Sequence, residues 1–132
     1  MNKNANAAPG NSCVCGVAGS FSECCGPYID GKAQPQSALA LMRSRYSAYA
    51  LGHDAYLLQT WHPSTRPPTL GSGNGARWIR LDVVRHEQNG EDRAVVEFVA
   101  RYKINGRAHR LHEISRFVRE DERWFYVDGD VT

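Results

Sequence analysis

Beyond residue 25 the chain has no cysteine: Cys13, Cys15, Cys24 and Cys25 are all it carries. A disulfide framework of a secreted protein ties distant segments together, whereas these thiols can close only short loops. No apolar run approaches the roughly 18 residues that a membrane helix requires. The opening Met1-Asn2-Lys3-Asn4-Ala5-Asn6 has no apolar core of the kind that secretion signals carry, so cytoplasmic residence is the expectation. Charge of one sign is also scarce. Sixteen Lys and Arg stand against 14 Asp and Glu, a net charge of +2, and no basic run concentrates the field. The arginines are interleaved with acids, which disfavours a direct nucleic-acid surface. There is no internal repeat. With 42% hydrophobic and 23% charged residues among 132, wholesale disorder is excluded, and the length fits one domain or one domain with a small appendage.

Four thiols packed closely in a reducing compartment read as metal ligands, and zinc suits a closed set of four thiolates. The alternatives are free thiols, or redox chemistry at the neighbouring Cys24-Cys25 pair, where a disulfide needs a strained ring. Residues 12–30 are too few to build a core, so a bound metal would organise them. Four protein ligands leave no open position for a substrate, which makes such a site structural.

Residues 1–11 are small and polar and read as a disordered leader. Gly26-Pro27 closes the cysteine segment with a turn signal, and residues 31–36 read as a linker. Ser37 is placed to cap a helix running to about Leu51, with Leu39, Met42, Tyr46 and Tyr49 on one face and Gly52 as terminator. Asp54 is expected to cap a second helix bearing Tyr56, Leu57, Leu58 and Trp61, ended by Pro63. Residues 63–76 are the clearest loop. Beyond it the period becomes two. Trp78 to His86 and Ala94 to Ile104 flank Asn89-Gly90, Asn105-Gly106 leads to Arg110–Val118, and Glu120-Asp121-Glu122 leads to Trp124–Asp128. The fold class is α+β: two or more helices on a curved antiparallel sheet of about four strands, preceded by the small cysteine module.

The string Cys13-Val14-Cys15-Gly16, eight residues between Cys15 and Cys24, and the adjacent Cys24-Cys25 resemble the SEC-C motif. That motif is named for the zinc-binding tail of the bacterial preprotein translocase ATPase. Val14, and Val17-Ala18-Gly19 in place of Ser-Gly-Lys, depart from it at positions that hold no ligand. Further blocks are similar to the YchJ family of uncharacterised bacterial proteins. They are Ala40-Leu41-Met42-Arg43-Ser44-Arg45-Tyr46-Ser47-Ala48-Tyr49, Thr60-Trp61-His62-Pro63-Ser64, Val96-Glu97-Phe98-Val99-Ala100-Arg101-Tyr102, Leu111-His112-Glu113-Ile114-Ser115-Arg116-Phe117 and Trp124-Phe125-Tyr126-Val127-Asp128-Gly129. The resemblance implies a SEC-C element at residues 12–30 and a cone domain like nuclear transport factor 2 and SnoaL-type proteins over residues 31–132. Some members carry a second SEC-C element, which this chain does not show before Thr132.

What the resemblance implies about function is open, because folds of this kind serve enzymes and binders alike. As an interaction module, the SEC-C element implies a protein or ribosomal partner, with one structural zinc on Cys13, Cys15, Cys24 and Cys25. The cone implies space for a small ligand. The alternative is acid–base chemistry of the isomerase or dehydratase type, with Glu113 as base, Tyr102 or Tyr126 as donor, and His62 near the cavity mouth. Glu113 shares a strand face with Ser115 and Phe117, where a carboxylate is partly desolvated. The ordinary alternative is that Glu113 pairs with Arg45 or Arg116 and serves packing. His112 and Arg116 fall on the opposite face, His112 as a hydrogen-bonded surface residue, and Trp61, Trp78 and Trp124 are expected in the core.

Overall fold

The structure, a computed structural model, describes residues 13–17, 19–70 and 76–132. The expected leader and residues 71–75 of the 63–76 loop lie outside the described residues. A single turn of 3₁₀ helix (Phe21–Glu23) precedes a short helix α1 (Gly26–Ile29), followed by α2 (Ala38–Leu51) and α3 (Asp54–Gln59). Four strands follow, β1 (Arg77–Gln88), β2 (Arg93–Ile104), β3 (Arg107–Glu120) and β4 (Arg123–Val131).

The start of α2 is as its sequence dictates. Ser37 Oγ accepts from the Ala40 N–H at 3.0 Å, satisfying one of the amides that a helix start leaves unpaired. At its end the Gly52 N–H returns to the Ala48 carbonyl at 2.8 Å. The start of α3 differs from expectation. His53 is the cap residue, and Asp54 is already helical, its carboxylate in the first turn beside the positive end of the helix dipole. Nor does Pro63 end α3. The Thr60 hydroxyl donates back to the Tyr56 carbonyl at 2.8 Å. The backbone is then captured by β4: Tyr126 N–H donates to Thr60 O at 2.9 Å and His62 N–H to Tyr126 O at 2.7 Å.

The strands form one antiparallel meander in the order β1-β2-β3-β4. β1, β3 and β4 are longer than expected at both ends, while β2 begins one residue early and ends at Ile104 as expected. Asn105 (φ 53°) and Gly106 (φ 79°) make a two-residue turn between β2 and β3, both in the left-handed region that such turns require. Irregularities in register fall between Trp78 and Arg80, Val83 and Arg85, and Arg116 and Phe117. Bulges of this kind bend strands and increase twist, which curves the sheet around α2.

The concave face carries Val96, Phe98, Ala100 and Phe117, all buried, against Leu41, Met42 and Tyr46 of α2 and Leu57 of α3. The buried side of α2 is wider than the expected stripe. Ser44, Arg45, Ser47 and Ala48 are buried as well, while Tyr49 is 42% exposed. The helix is wedged between the sheet, α3 and the cysteine segment, so three of its sides lose water and one apolar stripe does not describe it. On the convex face, Arg85 and His112 both meet Glu97, at 2.8 and 2.7 Å, and Arg116 meets Asp128 at 2.6 Å and Asp130 at 2.9 Å.

Candidate metal centre and cone cavity

The cysteine segment turns sharply, with Cys13 N–H donating to Gly19 O at 2.7 Å and Gly16 N–H to Cys13 O at 2.9 Å. Those bonds aim Cys13 and Cys15 at Cys24 and Cys25, which leave the 3₁₀ turn and enter α1. All four Sγ atoms lie within 4.8 Å of one another, an arrangement able to hold a metal ion. The Cys15–Cys24 and Cys24–Cys25 sulfur separations are 3.7 and 3.8 Å. A tetrahedron with metal–sulfur bonds of about 2.3 Å has edges of about 3.8 Å, which these two separations match. Cys13, Cys15 and Cys25 are buried and Cys24 is half-buried.

The thiols alone resist full ionisation. The Cys25 thiol donates toward Cys15 and, against burial, holds Cys15 down to about 5. Burial, then the Cys15 charge, pushes Cys24 up to about 12, and the hydrogen bond with Cys15 pushes Cys25 up as well. Four thiolates at this spacing need a cation among them. Helix α2 buttresses the cluster: Ser47 Oγ, fully buried, lies 3.7 Å from Cys13 Sγ, and Arg43 Nη1 donates to Cys15 O at 3.1 Å.

Between α2 and the concave face lies a cavity of about 240 Å³. Met42, Trp78, Phe98, Leu111 and Phe117 make its apolar wall, with Tyr49 at the rim. Two of its hydroxyls converge on Glu113. Ser115 Oγ donates to Glu113 Oε2 at 2.6 Å and Tyr126 Oη donates to the same oxygen at 3.0 Å. Burial, and then the Glu113 charge, pushes the Tyr126 hydroxyl well above its usual range, so it is a donor throughout the neutral range. Arg45, only 5% exposed, closes the inner end. Its Nη1 donates to Leu57 O at 2.8 Å and Thr60 Oγ1 at 2.7 Å, and the guanidinium lies over the rings of Trp61 and Tyr126 at 5.2 and 4.7 Å.

Glu113 and Tyr126, both named from sequence, are therefore brought together. The other candidates are not. Tyr102 stacks on His109 with centroids 5.2 Å apart and packs against Trp78, away from Glu113. His62 does not reach the cavity: Nδ1 meets Ser64 Oγ at 2.7 Å and Nε2 meets Glu120 Oε2 at 2.9 Å. The backbone pairing with Tyr126 turns its ring outward against Phe125. His112 lies on the convex face between Glu97 and the Thr132 hydroxyl, as expected. The expected pairing of Glu113 with an arginine is also absent among the described residues. Arg116 is held by Asp128 and Asp130 on the other face, and Nη1 of Arg45 donates to Leu57 O of α3 and to Thr60 Oγ1. Trp124 is buried in the core, whereas Trp78 lines the cavity.

Two contributors were missed from sequence, Ser47 and Gly129. A serine three residues beyond Ser44 on a helix rich in apolar residues is a signal of buried polar contact. A lone glycine inside a strand is a signal of close approach by another group.

The family profile described as the YchJ middle domain, NTF2-like, matches residues 37–129. The chain belongs to the YchJ family. A UPF0225 protein of Ralstonia nicotianae is 56% identical over 137 aligned residues, covering 95% of this chain and 94% of that one. One from Cupriavidus metallidurans is 54% identical, covering 90% and 88%. Among solved structures, a SEC-C motif containing protein from Rhodopseudomonas palustris superposes with a TM-score of 0.84 at 32% identity, covering 92% of this chain and 98% of that one. A SEC-C motif containing protein from Psychrobacter arcticus gives a TM-score of 0.77 at 26% identity, covering 95% and 84%. The resemblance read from the YchJ blocks and the cysteine spacing is thus borne out, and the α+β cone with its N-terminal cysteine cluster agrees with the structure. Among the described residues no helix is long and apolar enough to cross a membrane.

Proposed function

We propose that this YchJ member is a zinc-stabilised binding protein of the cytoplasm rather than an enzyme. In this reading Cys13, Cys15, Cys24 and Cys25 hold one structural zinc, the SEC-C knob meets a protein or ribosomal partner, and the cone holds a small ligand. The observation that carries it is the gathering of four cysteine sulfurs within 4.8 Å of one another, with Cys15–Cys24 and Cys24–Cys25 at 3.7 and 3.8 Å. Zinc bound there acts as a cross-link with no vacant coordination position, and its second sphere is supplied by Ser47. Reduced thiols at this density suit a reducing compartment. A shallow groove beside the half-buried Cys24, lined by Val17, Glu23, Tyr28 and Arg43, offers the partner a mixed apolar and charged face.

Native mass spectrometry of freshly purified protein, before and after a strong chelator, tests the metal: one zinc per chain is expected. A metal-free mass lower by two hydrogens would reveal a disulfide and overturn it. Replacing Cys24 and Cys25 by Ser should abolish both zinc and partner capture, and a metal-free variant that still captures the partner removes the knob from the reading.

A second reading is an acid–base enzyme. The Tyr126–Glu113 contact of 3.0 Å inside an aromatic cavity favours it, with Glu113 as base and Tyr126 as donor. A panel of small enolisable ketones in heavy water tests it. Catalysed deuterium uptake that disappears in Glu113→Gln is the result it requires.

A further inference from the structure

We infer that the cone cavity binds a neutral molecule of a single ring that carries one O–H or N–H donor, which it gives to Glu113. The inference deepens the reading that the cone holds a small ligand, and rests on it.

Size comes first. An apolar cavity of about 150 Å³ suffices for benzene. At about 240 Å³ this cavity has room for one ring with a short substituent. The walls are aromatic or aliphatic side chains, which a flat ring fills with little loss of contact.

The polar end is an acceptor. Ser115 and Tyr126 both donate to Oε2 of Glu113, fixing the carboxylate in place and leaving Oε1 without a hydrogen-bond partner among the described residues. A carboxylate is acceptor-only when ionised, so a guest that meets it must donate. An aromatic ether or hydrocarbon would instead cover a carboxylate oxygen with nothing to bond it, at a desolvation cost.

Charge balance selects a neutral guest. Arg45 and Glu113 bring one positive and one negative charge to the same cavity. Arg45 has no carboxylate in contact among the described residues. It is supported by two ring faces, a carbonyl and a hydroxyl, with the Glu113 charge felt across the cavity. An ammonium guest would neutralise Glu113 and leave the buried guanidinium uncompensated. A carboxylate guest would stand beside Glu113, like charge against like charge. Either leaves an unpaired charge out of water.

The test uses the full zinc-loaded chain with phenol, anisole, benzylammonium and benzoate as probes. Binding is followed by the methyl resonances of Met42 and Leu111, which line the cavity. Phenol is expected to shift both saturably and to bind at least tenfold more tightly than anisole, with benzylammonium and benzoate weaker still. Glu113→Gln should bring phenol close to anisole, because a charge-assisted acceptor becomes a neutral amide. Leu111→Phe should block every ring while leaving Glu113 and its two donors intact. Anisole equal to phenol, or either ion tighter than phenol, overturns the inference while leaving a ligand-binding cone. No saturable shift by any ring overturns the cone-ligand reading itself, and the zinc measurements stand apart from both.

Discussion

Gly129 is vacant where Glu113 places its carboxylate: a Cβ at residue 129 would collide with Glu113 Oε2 and stand 2.8 Å from its Cδ. The two meet because Gly129 of β4 lies opposite Ser115 of β3, two residues along from Glu113 on the same face. The carboxylate therefore folds over the glycine backbone, where Ser115 and Tyr126 can both reach it. Gly129→Ala must displace it. The expected loss is about 1–3 kcal/mol, the usual range for overpacking a tight site. Urea unfolding should show that loss in the wild-type background and most of it removed when Glu113 is also Ala, a coupling that a double-mutant cycle reads directly.

Ser47 is the buried hydroxyl beside Cys13 Sγ at 3.7 Å. A donor to a thiolate lowers the negative charge that the cluster must concentrate and fixes the ligand's orientation. Ser47→Ala is expected to weaken zinc about 10- to 100-fold, the span typical of outer-sphere partners. Competition against a chromophoric chelator measures it. An unchanged affinity would mean that the hydroxyl serves packing alone.

Loss of the metal should be felt well beyond residues 12–30. Cys13, Cys15 and Cys25 share one buried cluster with Leu41, Met42 and Tyr46, and Arg43 reaches back to Cys15 O. A chelator is therefore expected to lower the thermal midpoint of the whole chain and to alter the near-ultraviolet dichroism of Trp78, which packs edge-on against Tyr46. A change confined to the N-terminal segment, with the aromatic signal intact, would mean that cone and module are energetically independent.

The features legible in the sequence are those set by neighbours along the chain. Asn105-Gly106 announces a two-residue hairpin by itself, Ser37 caps by reaching three residues on, and the spacing of Cys13, Cys15, Cys24 and Cys25 brings the sulfurs together through local turns. The misplacements come from contacts between distant segments. His62 faces Glu120 because the backbone of Tyr126 pairs with Thr60 and His62. Arg45 lies over two rings because Trp61, just past α3, and Tyr126 of β4 meet there. Tyr126 and Tyr102 look equivalent as aromatic residues of a strand. Only the register of β4 on β3 decides that Tyr126 stands opposite Phe117 and within reach of Glu113.

Alkaline stability follows from Tyr56. Its hydroxyl shares a hydrogen bond of 2.6 Å with Ser44 Oγ, and burial pushes its pKa up to about 12, against the pull of Ser44 and Arg45. An unfolded tyrosine titrates near 10. The folded state thus prefers the protonated phenol, and the contribution to stability is fully present below about pH 10. It is lost as pH rises from there through 12. Unfolding free energy should fall over that window, and Tyr56→Phe should flatten the slope. At pH 7 the same variant is expected to lose about 1 kcal/mol with its hydrogen bond. Denaturant melts at several pH values measure both, and an unchanged alkaline slope would assign the loss to other groups.

The turn between β3 and β4 offers a gain in stability. Asp121 and Glu122 hold φ of 51° and 65°, left-handed values that side chains with a Cβ adopt at a cost. The corresponding positions of the β2–β3 turn are Asn105 and Gly106, the pair that a two-residue hairpin favours. Glu122 thus occupies the position that Gly106 fills. Glu122→Gly removes the Cβ strain, but glycine also gains freedom in the unfolded chain, which offsets part of the benefit. The net expectation is a stabilisation of about 0.5 kcal/mol, and Asp121→Asn combined with it should add a few tenths more. Thermal unfolding of the single and double variants checks the sign. Destabilisation by Glu122→Gly would mean that the carboxylate makes a compensating contact that the strain conceals.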